Sequence, residues 1–257
     1  FGILKVNRQG RIVQFEEKPK ADRLPDLESD IPGHGRGFLA SMGIYMFSRE
    51  ALDKAMGDPE LVDFGRNVIP SAIGEMRVQA HFYRGYWEDV GTIGSYFDAN
   101  LKLCDPMPPF DFYDAVRPVY THPRFLPATK IEGCQLRQAL VSEGCILMGA
   151  EIERSVVGIR SRIGQGTRLR DSLVLGADYY ESLEEIDRAH AKGKPPVGIG
   201  GDSVIERAIV DKNARVGRGV RILNEAGVRE ADGDGYYIRD GIVIVSKGGV
   251  VHDGTVI

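Results

Sequence analysis

Apolar positions divide the chain into two regions with different periods. In the first, Phe1-Gly2-Ile3-Leu4-Lys5-Val6 and Arg11-Ile12-Val13-Gln14-Phe15 flank Asn7-Arg8-Gln9-Gly10. Two strand-like runs around a short turn ending in glycine predict a β-hairpin. Residues 21–36, rich in Asp, Pro and Gly, predict a loop. Phe38 to Phe47 is mostly apolar and predicts a buried strand. Ser48 is placed to cap a helix opening at Arg49-Glu50, because its hydroxyl can accept from N–H groups that a first turn leaves unbonded. Asp63 to Pro70 predicts a short helix ended before the proline, and Val78 to Tyr83 another strand. Thr92 is placed to cap a helix through Leu103, with Tyr96, Ala99 and Leu103 on one face. Asp105-Pro106-Met107-Pro108-Pro109 stops that helix and opens a linker.

The second region changes period. Leu140, Ile146 and Ile152 are six residues apart. Val157, Ile163, Leu169 and Leu175 continue at six after a slip of one, and Val204, Val210, Val216 and Ile222 resume it after an interruption. Gly144, Gly149, Gly158, Gly164, Gly166, Gly217 and Gly219 punctuate these runs. A period of six suits neither a helix nor a simple alternating strand. It suits a β-helix of hexapeptide repeats, in which short strands end at corners and aliphatics stack into an interior column. An ordinary β-sandwich is the competing reading. The interruption, residues 177–203, holds Tyr179-Tyr180-Glu181-Ser182-Leu183-Glu184-Glu185 and Lys192-Gly193-Lys194-Pro195-Pro196, which do not fit such coils and predict a projecting loop or arm. From Tyr236 the tail alternates strand-like segments with glycine.

Composition narrows the chemistry. The 257 residues carry 33 basic and 37 acidic side chains, a net charge of −4. Near-balance gives no general pull on nucleic acid or an anionic membrane, so neither is an expected partner. An anionic ligand would need a few placed cations. No apolar run approaches the length of a membrane span. Cys104, Cys134 and Cys145 form no Cys-x-x-Cys pair and read as reduced, buried thiols. No Ser-His-Asp or Cys-His constellation stands out. A β-helix acyltransferase would want a histidine in the coils, and residues 131–176 contain none.

Four segments together resemble the glucose-1-phosphate adenylyltransferase (ADP-glucose pyrophosphorylase) family: Phe15-Glu16-Glu17-Lys18-Pro19-Lys20, Ala40-Ser41-Met42-Gly43-Ile44-Tyr45, Tyr86-Trp87-Glu88-Asp89-Val90-Gly91-Thr92, and Leu175-Gly176-Ala177-Asp178-Tyr179-Tyr180-Glu181. The first alone is common among sugar nucleotidyltransferases; the last is the most specific. The resemblance implies an α/β fold, the C-terminal part of a nucleotidyltransferase Rossmann-like domain, followed by a left-handed parallel β-helix of hexapeptide repeats. Residues 1–105 would be the sugar-phosphate-binding part, 106–130 a linker, and 131–257 a regulatory and oligomerisation β-helix with its insertion near 177–203. The implied reaction joins ATP and glucose 1-phosphate to give ADP-glucose and pyrophosphate, in glycogen or starch biosynthesis. The family's Gly-rich nucleotide loop, its adjacent Arg and Lys, and its first metal carboxylate precede the matched segment, so the chain is expected to be a fragment, inactive alone, lacking the nucleotide-binding half. The alternatives are a non-catalytic regulatory or assembly subunit of the same family, or a sugar-1-phosphate nucleotidyltransferase using another base.

The resemblance assigns residues. Glu17 would contact sugar hydroxyls and Lys18 the phosphate of glucose 1-phosphate, for which a lysine is a compact point charge. A solvated charge pair at a strand end is the other reading. Ser41 would offer a hydroxyl to the sugar, and Gly2 a backbone without Cβ for close approach; a packing glycine reads equally well. Asp89 would share Mg2+ with the missing carboxylate, since Mg2+ prefers hard oxygen ligands; a charge at a helix start is the alternative. Trp87 would wall the sugar or simply pack. Lys212 and Lys247 resemble lysines that hold a phosphorylated activator, 3-phosphoglycerate or fructose 1,6-bisphosphate; ordinary surface lysines are the alternative. A homo- or heterotetramer in the bacterial cytoplasm or a plastid is implied.

Overall fold

The computed structural model describes residues 1–31 and 33–257. Packing separates Phe1–Gly85 from Tyr86–Ile257.

In the first unit the expected hairpin forms. β1 (Gly2–Val6) and β2 (Ile12–Glu17) pair antiparallel, and Gly10 supplies the positive φ, +74°, that the turn requires. Residues 21–36 are not a plain loop. A 3-10 helix, Ala21–Leu27, leads to a small hairpin of β3 (Ser29–Ile31) and β4 (Gly35–Gly37); Pro32, between them, lies outside the described residues. Two anchors order this polar stretch: Leu27 is fully buried, and the buried Ser29 hydroxyl accepts from the Val6 N–H at 3.0 Å. The run Phe38–Phe47 also departs from expectation. Only β5 (Leu39–Ala40) pairs, along β1, and it is the outer strand of the order β2-β1-β5. Beyond it Gly43 takes φ +70°, which breaks a ladder, and Ile44 and Met46 face solvent.

Ser48 caps α1 (Arg49–Ala55), its hydroxyl accepting from the Ala51 N–H. The helix after Asp63 does not stop before proline. Phe64–Val68 forms π-type turns and runs on into α2 (Ile69–Glu75), with Pro70 in the first turn of α2, where a missing N–H costs nothing. The strand expected over Val78–Tyr83 does not form; the segment meets the hairpin at an isolated Arg11–Gln79 bridge, held by hydrogen bonds to Gly10 and Ile12.

The second unit opens with α3 (Ile93–Lys102), capped by Thr92 in a reciprocal box with Ser95. Its buried residues are Phe97 and Leu101, with Ile93 and Tyr96 partly buried, and not the Tyr96–Ala99–Leu103 face. The reason is tertiary: Phe97 and Leu101 pack on Leu173, Ile209 and Ile242 of the coils.

The coils wind through three parallel sheets. One column stacks Ile131, Leu147, Ile163, Ile199, Val216 and Val251. A second stacks Leu136, Ile152, Leu169, Ile205 and Ile222. A third stacks Val141, Val157, Val174, Val210 and Val245, and there an antiparallel hairpin of Ala231–Asp232 and Tyr236–Arg239 extends the sheet. From Leu147 onward every member is at most 4% exposed. The third sheet is covered outside by α3, which explains its aliphatic doublets Leu173-Val174 and Ile209-Val210.

The strict six-residue count misplaces part of this register. Leu147, Val174 and Ile205 point inward, not Ile146, Leu175 and Val204. Equivalent groups recur 16 or 17 residues on, as in Ala150 N–H to Cys134 Sγ and Ser172 N–H to Ser155 Oγ, so a coil is shorter than three full hexapeptides. The corners absorb the difference. Gln138, Arg154, Asp171 and Arg207 all hold φ between +44° and +52° at one of them, an unusual conformation for residues with Cβ atoms. Buried Ser155, Ser172 and Ser203 hydroxyls accept from backbone N–H groups of the next coil. The interruption builds α4 (Leu183–Ala191), capped by Ser182, and ends at Val197, because Gly198–Ile199 is already back in the first sheet. Its base is fixed by a largely buried pair of Glu181 and Arg215, with Glu181 also accepting from the Val197 N–H at 2.7 Å.

Candidate functional site

Ends of β1, β2 and β5 bring Gly2, Glu17, Lys18 and Ser41 together. Gly2 stands opposite Glu17, and its carbonyl accepts from the Ser41 N–H at 2.8 Å. The Lys18 N–H donates to the Phe1 carbonyl at 3.0 Å, and Lys18 leaves the strand at φ +50° with its side chain exposed. The Glu17 carboxylate lies between two glycines. A Cβ at Gly2 would sit 2.8 Å from Glu17 Oε2, and one at Gly65 2.9 Å from the same atom. The space beside Gly2 is also held by the Phe15 ring, 2.3 Å from where a Cβ would be. Ser41 Oγ lies 3.3 Å from the Tyr45 hydroxyl and accepts from the Gly43 N–H at 3.2 Å. Tyr45 stacks on Phe64 with ring centroids 5.8 Å apart. Among the described residues Glu17 and Lys18 enter no ion pair.

The cluster gathers one carboxylate, one ammonium, two hydroxyls and an aromatic face. A carboxylate can accept from hydroxyl donors, and an ammonium can pair with an anion. Sequence reasoning missed Tyr45 and Gly65. Tyr45 ends the Ala40–Tyr45 motif, but nothing local says that its hydroxyl turns back to Ser41. Gly65 reaches Glu17 only through the fold.

Asp89 belongs to the second unit. It is exposed, with both carboxylate oxygens 3.3 Å from where a Cβ at Gly91 would lie. Its neighbour Glu88 is a brace for α3: Lys102 donates to it at 2.7 Å and Tyr86 at 3.1 Å. Those bonds, Lys102 first, hold the Glu88 carboxyl below its usual range. No group of three or more His, Cys, Asp or Glu able to hold a metal occurs among the described residues. Asp89 alone does not make a Mg2+ site.

Lys212 and Lys247 do come together, on a residue not singled out from sequence. Asp178 Oδ1 lies 3.0 Å from Lys212 Nζ and Oδ2 lies 3.4 Å from Lys247 Nζ. Asn213 Nδ2 donates to Oδ2 at 2.9 Å. Hydrogen bonds from Lys212 and Asn213 hold the Asp178 carboxyl down at about 2, against desolvation. Asp178 falls within the Leu175–Glu181 motif, but the contact spans 34 residues of sequence and exists only because coils stack.

A groove of about 970 Å³ lies elsewhere, between the 190–197 arm and the first sheet, lined by Arg162, His190, Lys194, Arg218 and His252 among others. Its lining includes none of Gly2, Glu17, Lys18, Ser41, Asp89, Lys212 and Lys247. The three cysteines are free; burial raises the Cys104 and Cys145 thiols, as suits packing rather than chemistry.

Residues 124–256 match the family described as the GLGC left-handed parallel beta-helix domain. Residues 1–106 match the family described as nucleotidyl transferase. The strand-end cluster lies inside the second match, and the Asp178 cluster inside the first.

Proposed function

The chain belongs to the family of the GLGC left-handed parallel beta-helix domain, joined to a nucleotidyl transferase domain, and from that premise we propose that it serves glucose-1-phosphate adenylyltransferase, ATP and glucose 1-phosphate giving ADP-glucose and pyrophosphate. The observation that carries this reading is the convergence of Gly2, Glu17, Lys18 and Ser41 at three strand ends within the nucleotidyl transferase stretch.

Lys18 holds the phosphate and offsets its charge, while Glu17 and Ser41 hold sugar hydroxyls and fix the direction of the phosphate. The phosphate oxygen then attacks the α-phosphorus of ATP and pyrophosphate leaves, with no covalent link to the protein. Such catalysis is positioning and charge neutralisation. Asp89 would offer one carboxylate ligand to Mg2+, whose chemistry would be to offset phosphate charge. In the coils, Lys212 and Lys247 bind the phosphate of an activator.

Sugar selectivity tests this reading. By calorimetry, glucose 1-phosphate should bind more tightly than galactose 1-phosphate and inorganic phosphate, and Glu17→Ala should erase the difference while some phosphate affinity remains. Equal affinity for all three in the unaltered chain would reject a hexose site.

A further inference from the structure

Winding fixes where the two coil lysines stand. Val210 and Val245 are register partners, and each lysine follows its valine by two residues. Neighbouring strands lie about 4.8 Å apart, so Lys212 and Lys247 rise from adjacent steps of one corner. Paired cations at that spacing repel each other unless an anion sits between them. The anion present is Asp178, from the coil before: Val174, four residues earlier, is the register partner of Val210. Asn213 grips it at both ends, its Oδ1 accepting from the Asp178 N–H at 2.8 Å and its Nδ2 donating to the carboxylate.

We propose that Asp178 is a built-in competitor at this corner: its carboxylate fills the place of a phosphomonoester's phosphate, and the ligand binds by displacing it from Lys212 and Lys247. This rests on the reading of the two lysines as phosphate-binding. Three features carry it. The side chains of Asp178, Lys212 and Lys247 are 41%, 35% and 63% exposed, so an incoming anion has access. The carboxylate uses one oxygen for each lysine, and a phosphate offers the same bridge with a further oxygen and up to a second charge. The competitor is tethered, so it is present at a fixed effective concentration that a weak monoanion does not overcome. The corner therefore selects dianionic phosphate esters against simple carboxylates, and the residue at 178 sets the threshold.

Asp178→Asn keeps the size of the side chain and removes its charge. Calorimetric titration with inorganic phosphate should give about three- to tenfold tighter binding to this variant than to the unaltered chain, the range expected for freeing two part-exposed ion pairs. Asp178→Ser repeats the test with a smaller neutral side chain, should the amide disturb the corner. Lys212→Ala should weaken binding with either residue at 178. Asp202→Asn, which removes a charge paired with Arg218 at another corner, should leave affinity unchanged. Equal or weaker phosphate binding by both Asp178 variants, with Lys212→Ala still weakening it, overturns the competitor and leaves the lysine reading standing. Phosphate affinity indifferent to Lys212 and Lys247 overturns that reading as well. The same gain in Asp202→Asn overturns the competitor in favour of net charge.

Discussion

Leu147 in the coils and Ile44 in the first unit both sit in apolar runs, yet one is fully buried and the other 77% exposed. Leu147 meets aliphatics of its own kind from the turns before and after it, Ile131 and Ile163. Ile44 follows a two-residue strand at the outer edge of a three-stranded sheet, and Met46 and Val62 are exposed like it. A winding repeat finds its core partners in the adjacent coil. An open sheet finds them only where another strand or helix covers its face.

Core substitutions should separate the two regions most widely. Leu147→Ala should lower unfolding free energy by about 3–5 kcal/mol, the transfer term plus a cavity that stacked coils do not collapse into. Ile44→Ala should change it by less than about 0.5 kcal/mol. Denaturant unfolding followed by circular dichroism checks both, and similar losses would erase the contrast. Next comes the base of the insertion. Glu181→Ala strands Arg215, 17% exposed, and leaves the Val197 N–H without its acceptor, so a loss of about 2–3 kcal/mol is expected from the same experiment.

Glycines sharpen the comparison at a smaller scale. At Gly176, φ is +87° and a Cβ would lie 2.1 Å from the Ile159 carbonyl oxygen of the neighbouring coil. Gly176→Ala should cost at least about 1 kcal/mol. Gly74, in α2, has nothing among the described residues within 4 Å of such a Cβ, and Gly74→Ala should stabilise by about 0.5 kcal/mol in melting curves. The smallest effect is the pH response of the coil corner. Because the Asp178 carboxyl is lowered from 3.8 to about 2 in the folded chain, its contribution is complete above pH 3.8 and disappears as pH falls through 2. The melting-temperature gap between the unaltered chain and Asp178→Asn should shrink across that window; a constant gap would argue against the ion pairs.

Local features were legible in the sequence. The Asn7–Gly10 turn and the Ser48 and Thr92 caps depend on residues within four positions of one another, and all three form as read. The coil period was legible as well, but its phase was not. Corner residues such as Arg154 and Asp171 adopt left-handed backbone without being glycine, so a strict count of six falls one residue off at Ile146 and Val204. Site residues divide in the same way. Lys18 stands out next to its strand end, whereas Ser41 meets Gly2, and Asp178 meets Lys212, only after distant segments pair. Burial of Phe97 instead of a Leu103 face likewise follows from docking on Leu173, which helical periodicity does not contain.

Phosphate recognition by the two regions should be separable, and one titration matrix tests this most directly. Glucose 1-phosphate is titrated into the unaltered chain, Lys18→Ala and Lys212→Ala by calorimetry. Loss of one charge-assisted phosphate contact should weaken the hexose-selective binding of Lys18→Ala, the part in which glucose 1-phosphate exceeds inorganic phosphate, by about 10- to 100-fold, while Lys212→Ala keeps that selective binding and loses only phosphate affinity at the coil corner. Undiminished binding by Lys18→Ala would contradict the sugar-phosphate site at the strand ends.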